Sequence, residues 1–434
     1  MKVVYIVPGS GGGFYCENCL RDSILVKALR AQGHDVIMVP MYLPLFTDDE
    51  SLPGDTPVFY GAISLYLKQK LPWLRRMPDW LEALLDSKPM LAFAAKKAGS
   101  TRATGLEAMT LSMLRGEHGG QARELERLVD WLAHDHQPDI VHLSNALLIG
   151  LAGRITEKLH VPVCCSLQDE DTWIEPMPPA WQKQIWNTMA ERAEDISAFL
   201  AVSDFYAGIM SGHLRVPQKK MHTAYIGIDP SLYSPASVSP DPPVIGYLSR
   251  LAEAMGFDIL VEAFIRLKGV YGHKTLKLYA TGGRTGDDDR FIRQQQKILR
   301  QHGLLDDVQF FDEFSGRHRI DFLQKCSIVS VPVPRGEAFG LFITEALACG
   351  VPVVQPRAGA FPELVEATGG GVIYEPNDVM NLAAALDKVL RNPQHMREMS
   401  LRGRIAVLNK FTVDHTARRI LDVYSHCLNM ANTA

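Results

Sequence analysis

Two glutamates, Glu337 and Glu345, stand eight residues apart in RGEAFGLFITEALACGVPVV, with a Phe-Gly pair between them. The apolar run ahead of them, SIVSVPV at 327–333, reads as a strand, and Phe339-Gly340 opens a helix that Gly350 stops. Glu345 then lies inside the helix and Glu337 in the loop before it. Free N–H groups and the positive dipole end at 339–342 favour an anionic or oxygen-rich ligand. A carboxylate at Glu345 could accept both hydroxyls of a ribose, and one at Glu337 the hydroxyls of a hexose. The receptor so described suits a molecule anionic in the middle and polyhydroxylated at both ends, a nucleotide diphospho-sugar.

Upstream, Arg250 follows the apolar run VIGYL at 244–248 and precedes a helical segment at 257–268. Its guanidinium is fixed in charge and can fork onto phosphate oxygens. A glycine turn, YATGGRTGDDD, ends another strand. Its acidic triplet, 287–289, reads as a cluster at a helix N-terminus rather than as a metal site. No metal and no cofactor are expected.

The first half offers weaker chemistry. PGSGGGFY, after a strand at 3–7, is a glycine turn that either lets backbone N–H groups approach an anion or only lets helix and strand pack. A dinucleotide is disfavoured, because the third glycine of that fingerprint is Phe14 and no acidic residue ends the second strand. Cys16 and Cys19 have the spacing of half a zinc site or a redox pair, but they also suit small buried positions in the first turns of a helix at 18–31. DIVHL, at 139–143, ends a strand with His142 pointing toward the cleft, though a lone histidine after an apolar strand also suits a structural role. Asp169, Glu170 and Asp171 follow the next strand and either cap a helix or bind a polar acceptor.

These residues must be positioned by strands and helices in alternation. Apolar runs at 3–7, 35–39, 139–143, 161–167 and 198–202 recur as 244–248, 275–280, 308–312, 327–333 and 351–356. Helix-length segments such as 147–160, 257–268 and 379–391 separate them. Continuous apolar strands with intervening helices predict parallel, doubly wound sheets. The pattern restarts after PSLYSPASVSPDPP, residues 230–243, whose five prolines read as a linker. The expected architecture is α/β, two Rossmann-like domains facing a central cleft, spanning 1–235 and 244–411, with a tail helix at 412–434 completing the first. Residues 60–120 interrupt the pattern as a helical excursion. Its aromatic and basic stretch (Trp73, Arg75, Arg76, Trp80) reads either as a cap over the cleft or as weak peripheral membrane contact through 60–85.

Composition excludes several classes. A net charge of −4 without a basic stripe argues against nucleic acid. Seven scattered cysteines make no disulfide framework, no apolar run reaches membrane-spanning length, and a cytoplasmic location is expected.

EAFGLFITEALACGVPVV, with GYLSRL upstream and AGAFPELVE then GGGVIYEPND downstream, resembles the donor domain of retaining glycosyltransferases of the GT-B fold, family 4 type. The likeness is close over 244–410, loose over 1–40 and 138–235, and slight over 41–137. It implies that Arg250 binds the diphosphate, Glu345 the ribose and Glu337 the donor sugar, with Phe339 and the amides of Gly340 and Leu341 beside the sugar and phosphates. It also implies donor contact at Gly12 and Gly13, an acceptor side at His142, Gln168 and Asp169, and catalytic roles for Glu337, His142 and Arg250. A nucleotide sugar donor and a hydroxyl acceptor would be the partners. Three positions depart from the pattern: Met255 replaces a lysine, Gln168 a histidine and Ile226 an asparagine. Arg335 or Arg284 could supply the cation missing at Met255, and Arg335 is the better placed. A catalytically silent nucleotide-sugar-binding protein is the alternative reading, supported by Met255.

Overall fold

The computed structural model describes residues 1–8, 17–42, 105–235 and 240–431. These form two compact units. The first runs to Tyr225 and takes the chain back from Thr416; the second holds Ile226 to His415.

In the first unit, β1 (Lys2–Val7), β2 (Asp35–Pro40), β3 (Ile140–Leu143), β4 (Val163–Leu167), β5 (Ala198–Ala201) and β6 (Met221–Thr223) form one parallel sheet in the order β2-β1-β3-β4-β5-β6. In the second, β7 (Val244–Leu248), β8 (Lys277–Thr281), β9 (Val308–Phe310), β10 (Ile328–Val329), β11 (Val353–Pro356) and β12 (Gly371–Tyr374) form another, in the order β12-β11-β10-β7-β8-β9. The central strands β3, β4, β5, β7, β10 and β11 are buried at every residue. That burial is why they read as unbroken apolar runs: in a parallel sheet helices cover both faces, and no face is left for polar alternation.

The helices agree closely with the sequence reading. Glu17–Ala31, Phe257–Gly269 and Val379–Leu390 occupy the predicted segments. The segment 147–160 starts instead as a 3₁₀ turn, Ala146–Leu151, before the α-helix Ala152–Leu159. The tail helix Val413–Ala431 buries Thr416, Ala417, Ile420, Val423, Tyr424 and Cys427, a stripe of helical period.

Three expectations need correction. Strands β6 and β12 were not anticipated, since one is three residues long and the other opens inside a glycine run. The predicted strand at 327–333 pairs only over Ile328–Val329, because two prolines, Pro332 and Pro334, break the ladder beyond it. Nor is 230–243 wholly a linker. The chain enters the second unit at Ile226, where Ile228 donates its N–H to the Phe411 carbonyl (2.9 Å) and accepts from Val413 (2.9 Å). Tyr233, inside the expected linker, is 3% exposed. The excursion at 60–120 lies outside the described residues up to 104, including the stretch 60–85; its end is the helix Glu107–Leu114.

Candidate functional site

The second sheet has a topological switch point. From β7 the chain winds outward through β8 and β9, then returns to β10 on the other side of β7 and winds the opposite way. Loops leaving the carboxyl ends of adjacent strands diverge at such a point and leave a crevice, the usual ligand site of an open α/β sheet.

The loops there are tied to one another. Leu251 donates its N–H to the Gly283 carbonyl (3.0 Å), which joins the loops after β7 and β8. Ala360 donates to the Glu337 carbonyl (3.0 Å), which joins those after β10 and β11. Gly256, with φ +70°, sits so close to the β10 loop that a Cβ would lie 2.1 Å from the Pro332 carbonyl oxygen. Only glycine gives both the left-handed backbone and the clearance. The buried Tyr247 hydroxyl donates to the Arg250 carbonyl (2.9 Å) and lies 3.2 Å from that of Met255. Burial, and then the charge of Glu337, push its pKa far above the usual tyrosine value. Glu337 and the Arg250 loop therefore gather around one buried phenol.

Arg250 is partly exposed, as the sequence implies, but its fork is engaged within the protein. Nε donates to Asp288 Oδ2 (2.8 Å), and Nη2 to Asp288 Oδ1 (2.9 Å) and the Thr285 hydroxyl (3.0 Å). Burial pushes the Asp288 carboxyl up, yet the bonds from Arg250 and Thr285 outweigh it and hold the pKa below the usual carboxylate range. The acidic cluster thus reads correctly as a helix start, a capping box on Thr285 ahead of the helix Asp289–Gln301, and gains a second task in orienting the arginine. Beside it lies a pocket of about 170 Å³ lined by Leu251, Gly283, Arg284, Phe310, Phe311 and Phe314. Arg284 and Arg335 are exposed, and Arg284 approaches Asp289 at 3.5 Å.

The helix Leu341–Ala348 starts at Gly340, whose φ of +99° makes it a left-handed N-cap, and stops ahead of Gly350, φ +74°. Its first-turn amides lie where the sequence places them. Phe339 is fully buried against Phe411, with ring centroids 6.5 Å apart, so it packs rather than faces a ligand. Glu345 also departs from expectation. Every residue of the helix is buried, so the side chain has no solvated face and is 1% exposed. Its Oε1 accepts from the Tyr233 hydroxyl (2.6 Å) and from Arg319 Nε (2.8 Å). Instead of offering two oxygens outward, the carboxylate is gripped from within.

The acceptor-side residues are placed less as expected. His142 does not project from a strand end. It lies within β3, fully buried, with Nδ1 2.5 Å from the Tyr424 hydroxyl and Nε2 2.8 Å from that of Ser166, and it stacks on Tyr5. A residue in the middle of a covered parallel strand must point into one helix layer or the other, and His142 meets the tail helix. Burial, then Arg21, lower its pKa to about 3, so it stays neutral. Gln168 is 2% exposed and accepts from Arg21 (2.9 Å). Asp169 is half-buried in a left-handed conformation, φ +63°, ahead of the short helix Glu170–Ile174. Gly12, Gly13 and Cys16 lie outside the described residues. Among the described residues no cluster of three or more His, Cys, Asp or Glu could hold a metal ion, and no helix is long and apolar enough to cross a membrane.

Three residues of the site were missed: Asp288 as the anchor of Arg250, and Tyr233 and Arg319 as the anchors of Glu345. A lone glutamate in an otherwise apolar helix, LFITEALA, was the available signal. Such a carboxylate needs a buried partner, though periodicity does not say which.

Comparison with known proteins bears on the family and the fold. Residues 234–405 match the model of "Glycosyl transferases group 1" and residues 107–232 that of "Glycosyltransferase Family 4". The D-inositol 3-phosphate glycosyltransferase of Stackebrandtia nassauensis is 27% identical over 46% of this chain, a stretch spanning about half, 48%, of that relative. The MMP alpha-(1->4)-mannosyltransferase of Mycolicibacterium hassiacum is 25% identical over 67% of this chain and 71% of its own length. Two solved structures share the fold at 16% identity. Sucrose-phosphate synthase from Thermosynechococcus elongatus has a TM-score of 0.73, covering 99% of this chain and 100% of the other. Anabaena HepE in complex with UDP has a TM-score of 0.68, covering 98% and 100%. With one model matched in each unit and two parallel Rossmann-like sheets beneath them, the chain belongs to the group 1 glycosyltransferases, family 4 type, of the GT-B fold.

Proposed function

We propose that this protein transfers a hexose from a nucleotide diphospho-sugar to a hydroxyl acceptor, with retention of anomeric configuration. The observation that carries the reading is the gathering of Arg250, Glu337 and the N-terminus of helix Leu341–Ala348 at the switch point of the second sheet. Arg250 and the helix amides supply positive potential for a diphosphate, and Glu337 accepts hydroxyls of the sugar. Support also comes from the HepE complexes, whose ligands are UDP and UDP-glucose.

No carboxylate nucleophile stands out at the site. Retention then results from attack of the acceptor hydroxyl on the same face from which the diphosphate departs, with the leaving phosphate taking the proton. Catalysis rests on positioning and on positive potential at the leaving group. Asp288 is committed to Arg250 and Asp289 lies toward Arg284, and turnover is expected to survive EDTA.

A second reading, binding without transfer, draws on two observations: Met255 carries no charge, and Asp288 compensates the charge of Arg250. Calorimetric titration with UDP, GDP and ADP, followed by assays of nucleoside diphosphate release from the matching sugar conjugates, separates the two. Release with retained configuration at the new bond supports transfer. Binding with no release under any acceptor leaves the second reading, and no binding of any nucleotide defeats both.

A further inference from the structure

Inside the second unit, two side chains distant in sequence converge on a single carboxylate oxygen. Tyr233 arrives on the segment by which the chain enters the unit, and Arg319 on the helix Gly316–Leu323. The Tyr233 hydroxyl (2.6 Å) and Arg319 Nε (2.8 Å) both donate to Glu345 Oε1, and all three residues are buried. Tyr233 is itself held, since Arg404 Nη1 donates to its carbonyl (3.1 Å) and also to the carbonyl of Ala348, in the last turn of the Glu345 helix. Burial and the charge of Glu345 push the Tyr233 pKa far above the usual value, so the phenol remains a donor.

We propose that Tyr233 and Arg319 are positioning residues for Glu345, fixing its carboxylate beneath the ribose of a bound nucleotide. The inference rests on the donor reading above and names two residues that reading does not use. Two donors on one oxygen remove the carboxylate's rotational freedom, so the direction of the other oxygen is set before a ligand arrives. The pairing also settles a problem of charge. A diphosphate brings negative charge to a helix N-terminus one turn from Glu345, and an uncompensated buried carboxylate there would repel it. Arg319 makes the pair neutral while leaving the hydrogen-bonding power of the carboxylate in place.

The test is a set of calorimetric titrations of the full chain with UDP, GDP and ADP. Whichever nucleotide binds is compared with its 2′,3′-dideoxy counterpart, for the unsubstituted protein, Tyr233→Phe and Arg319→Lys. Thermal melts report on folding alongside. Removing the ribose hydroxyls is expected to weaken binding to the unsubstituted protein about tenfold or more. Tyr233→Phe is expected to weaken the ribonucleotide roughly five- to tenfold and the dideoxy nucleotide less than twofold, the coupling expected of groups acting through one contact. Arg319→Lys, which keeps the charge but loses the planar fork, should show the same selective loss.

Equal weakening toward both nucleotides, or none, overturns the proposal, because a merely structural role does not distinguish the ligands. Equal binding of both nucleotides by the unsubstituted protein also overturns it, while leaving the donor reading intact. No binding of any nucleotide defeats the donor reading, and the inference with it. Should Arg319→Lys fail to fold, Tyr233→Phe, which removes one oxygen, carries the test alone.

Discussion

The two sheets end differently at corresponding places. The first has its switch point between β1 and β3, the second between β7 and β10. At the first lie Tyr5, Arg21, Asp22, His142, Ser144, Gln168 and Glu170, all buried. Arg21 spends its guanidinium on Asp22, Gln168 and the Ser144 carbonyl, at 2.9, 2.9 and 2.6 Å. Tyr206 donates to Glu170 at 2.8 Å. At the second, Arg250, Met255 and Glu337 are partly exposed, Arg335 is exposed, and a pocket opens beside Arg250. Among the described residues, one end is a self-satisfied polar core and the other presents charge outward. The same topology can therefore lock its own architecture or hold a ligand. What separates the two is whether the polar groups find partners inside the protein or keep an edge for something else.

Substitutions at the two ends should then fail in different ways. Arg250→Ala is expected to have the largest effect on ligand: nucleoside diphosphate affinity falls roughly a hundredfold, about 3 kcal/mol, while the loss of its pair with Asp288 lowers thermal stability to a lesser degree. Calorimetry with the responding nucleotide, paired with a thermal melt, checks it. A variant that binds normally but melts early would make Arg250 a structural residue like Arg21 and erase the contrast. Tyr424→Phe probes the other end. It leaves His142 Nδ1 buried without its partner and is expected to cost about 1–3 kcal/mol of stability in urea denaturation, with nucleotide affinity untouched.

His142 also sharpens the comparison through pH. Its folded pKa of about 3 lies below the ordinary value of 6.5, so the unfolded chain binds the extra proton between those limits. Stability from this group is full above 6.5 and is lost as pH falls toward 3, at a limiting slope of about 1.4 kcal/mol per unit. Asp22 and Glu170 act in the opposite sense. Burial raises their pKa values, so above the ordinary carboxylate range the native state holds more protons than the unfolded one, and stability falls with rising pH. The difference between unsubstituted protein and His142→Asn isolates the histidine. Its melting-temperature gap should change between pH 7 and 4, with the variant less acid-sensitive. Parallel curves would mean that His142 is not buried neutral.

How much of this was legible in the sequence depends on the range of each interaction. The central strands were readable because full burial writes itself locally as a run of Val, Ile, Leu and Ala. The edge strands β6 and β12 were not, being short and half-covered. At the switch point of the second sheet the glycines and the two glutamates declared themselves by spacing along a strand–loop–helix unit. Their counter-ions did not: Asp288 lies 38 residues from Arg250, Arg319 26 from Glu345, and Tyr233 112 from Glu345. No local pattern encodes such pairs. His142 was misplaced for a related reason, since its partner Tyr424 is 282 residues away. Nothing in DIVHL indicates that a helix from the far end of the chain covers that face.

A smaller effect is expected at Met255. It is half-buried in the loop after β7, and the Tyr247 hydroxyl lies 3.2 Å from its carbonyl. Asp288 offsets part of the charge of Arg250, so a second cation in the loop would add to its positive potential. Met255→Lys adds a cation there and should tighten nucleoside diphosphate binding roughly tenfold, about 1.4 kcal/mol, with the gain shrinking as salt rises. Unchanged affinity would mean that the side chain points away from the phosphates.

The smallest effect is expected at Arg335, and it decides whether the open end compensates for Met255. Arg335 precedes Glu337 by two residues in the loop after β10 and is exposed. An exposed cation interacts with a phosphate at high dielectric and gains little, so Arg335→Ala should weaken nucleoside diphosphate binding only about two- to fivefold. The informative measurement is the same substitution in the Met255→Lys background. If Arg335 supplies the charge that Met255 lacks, the loss should vanish once a lysine stands at 255, because the two cations then serve one phosphate and are not additive. Should the loss persist in full, Arg335 acts on another part of the ligand, and the weak charge of the Arg250 loop is left standing as the mark of a site that binds without transfer.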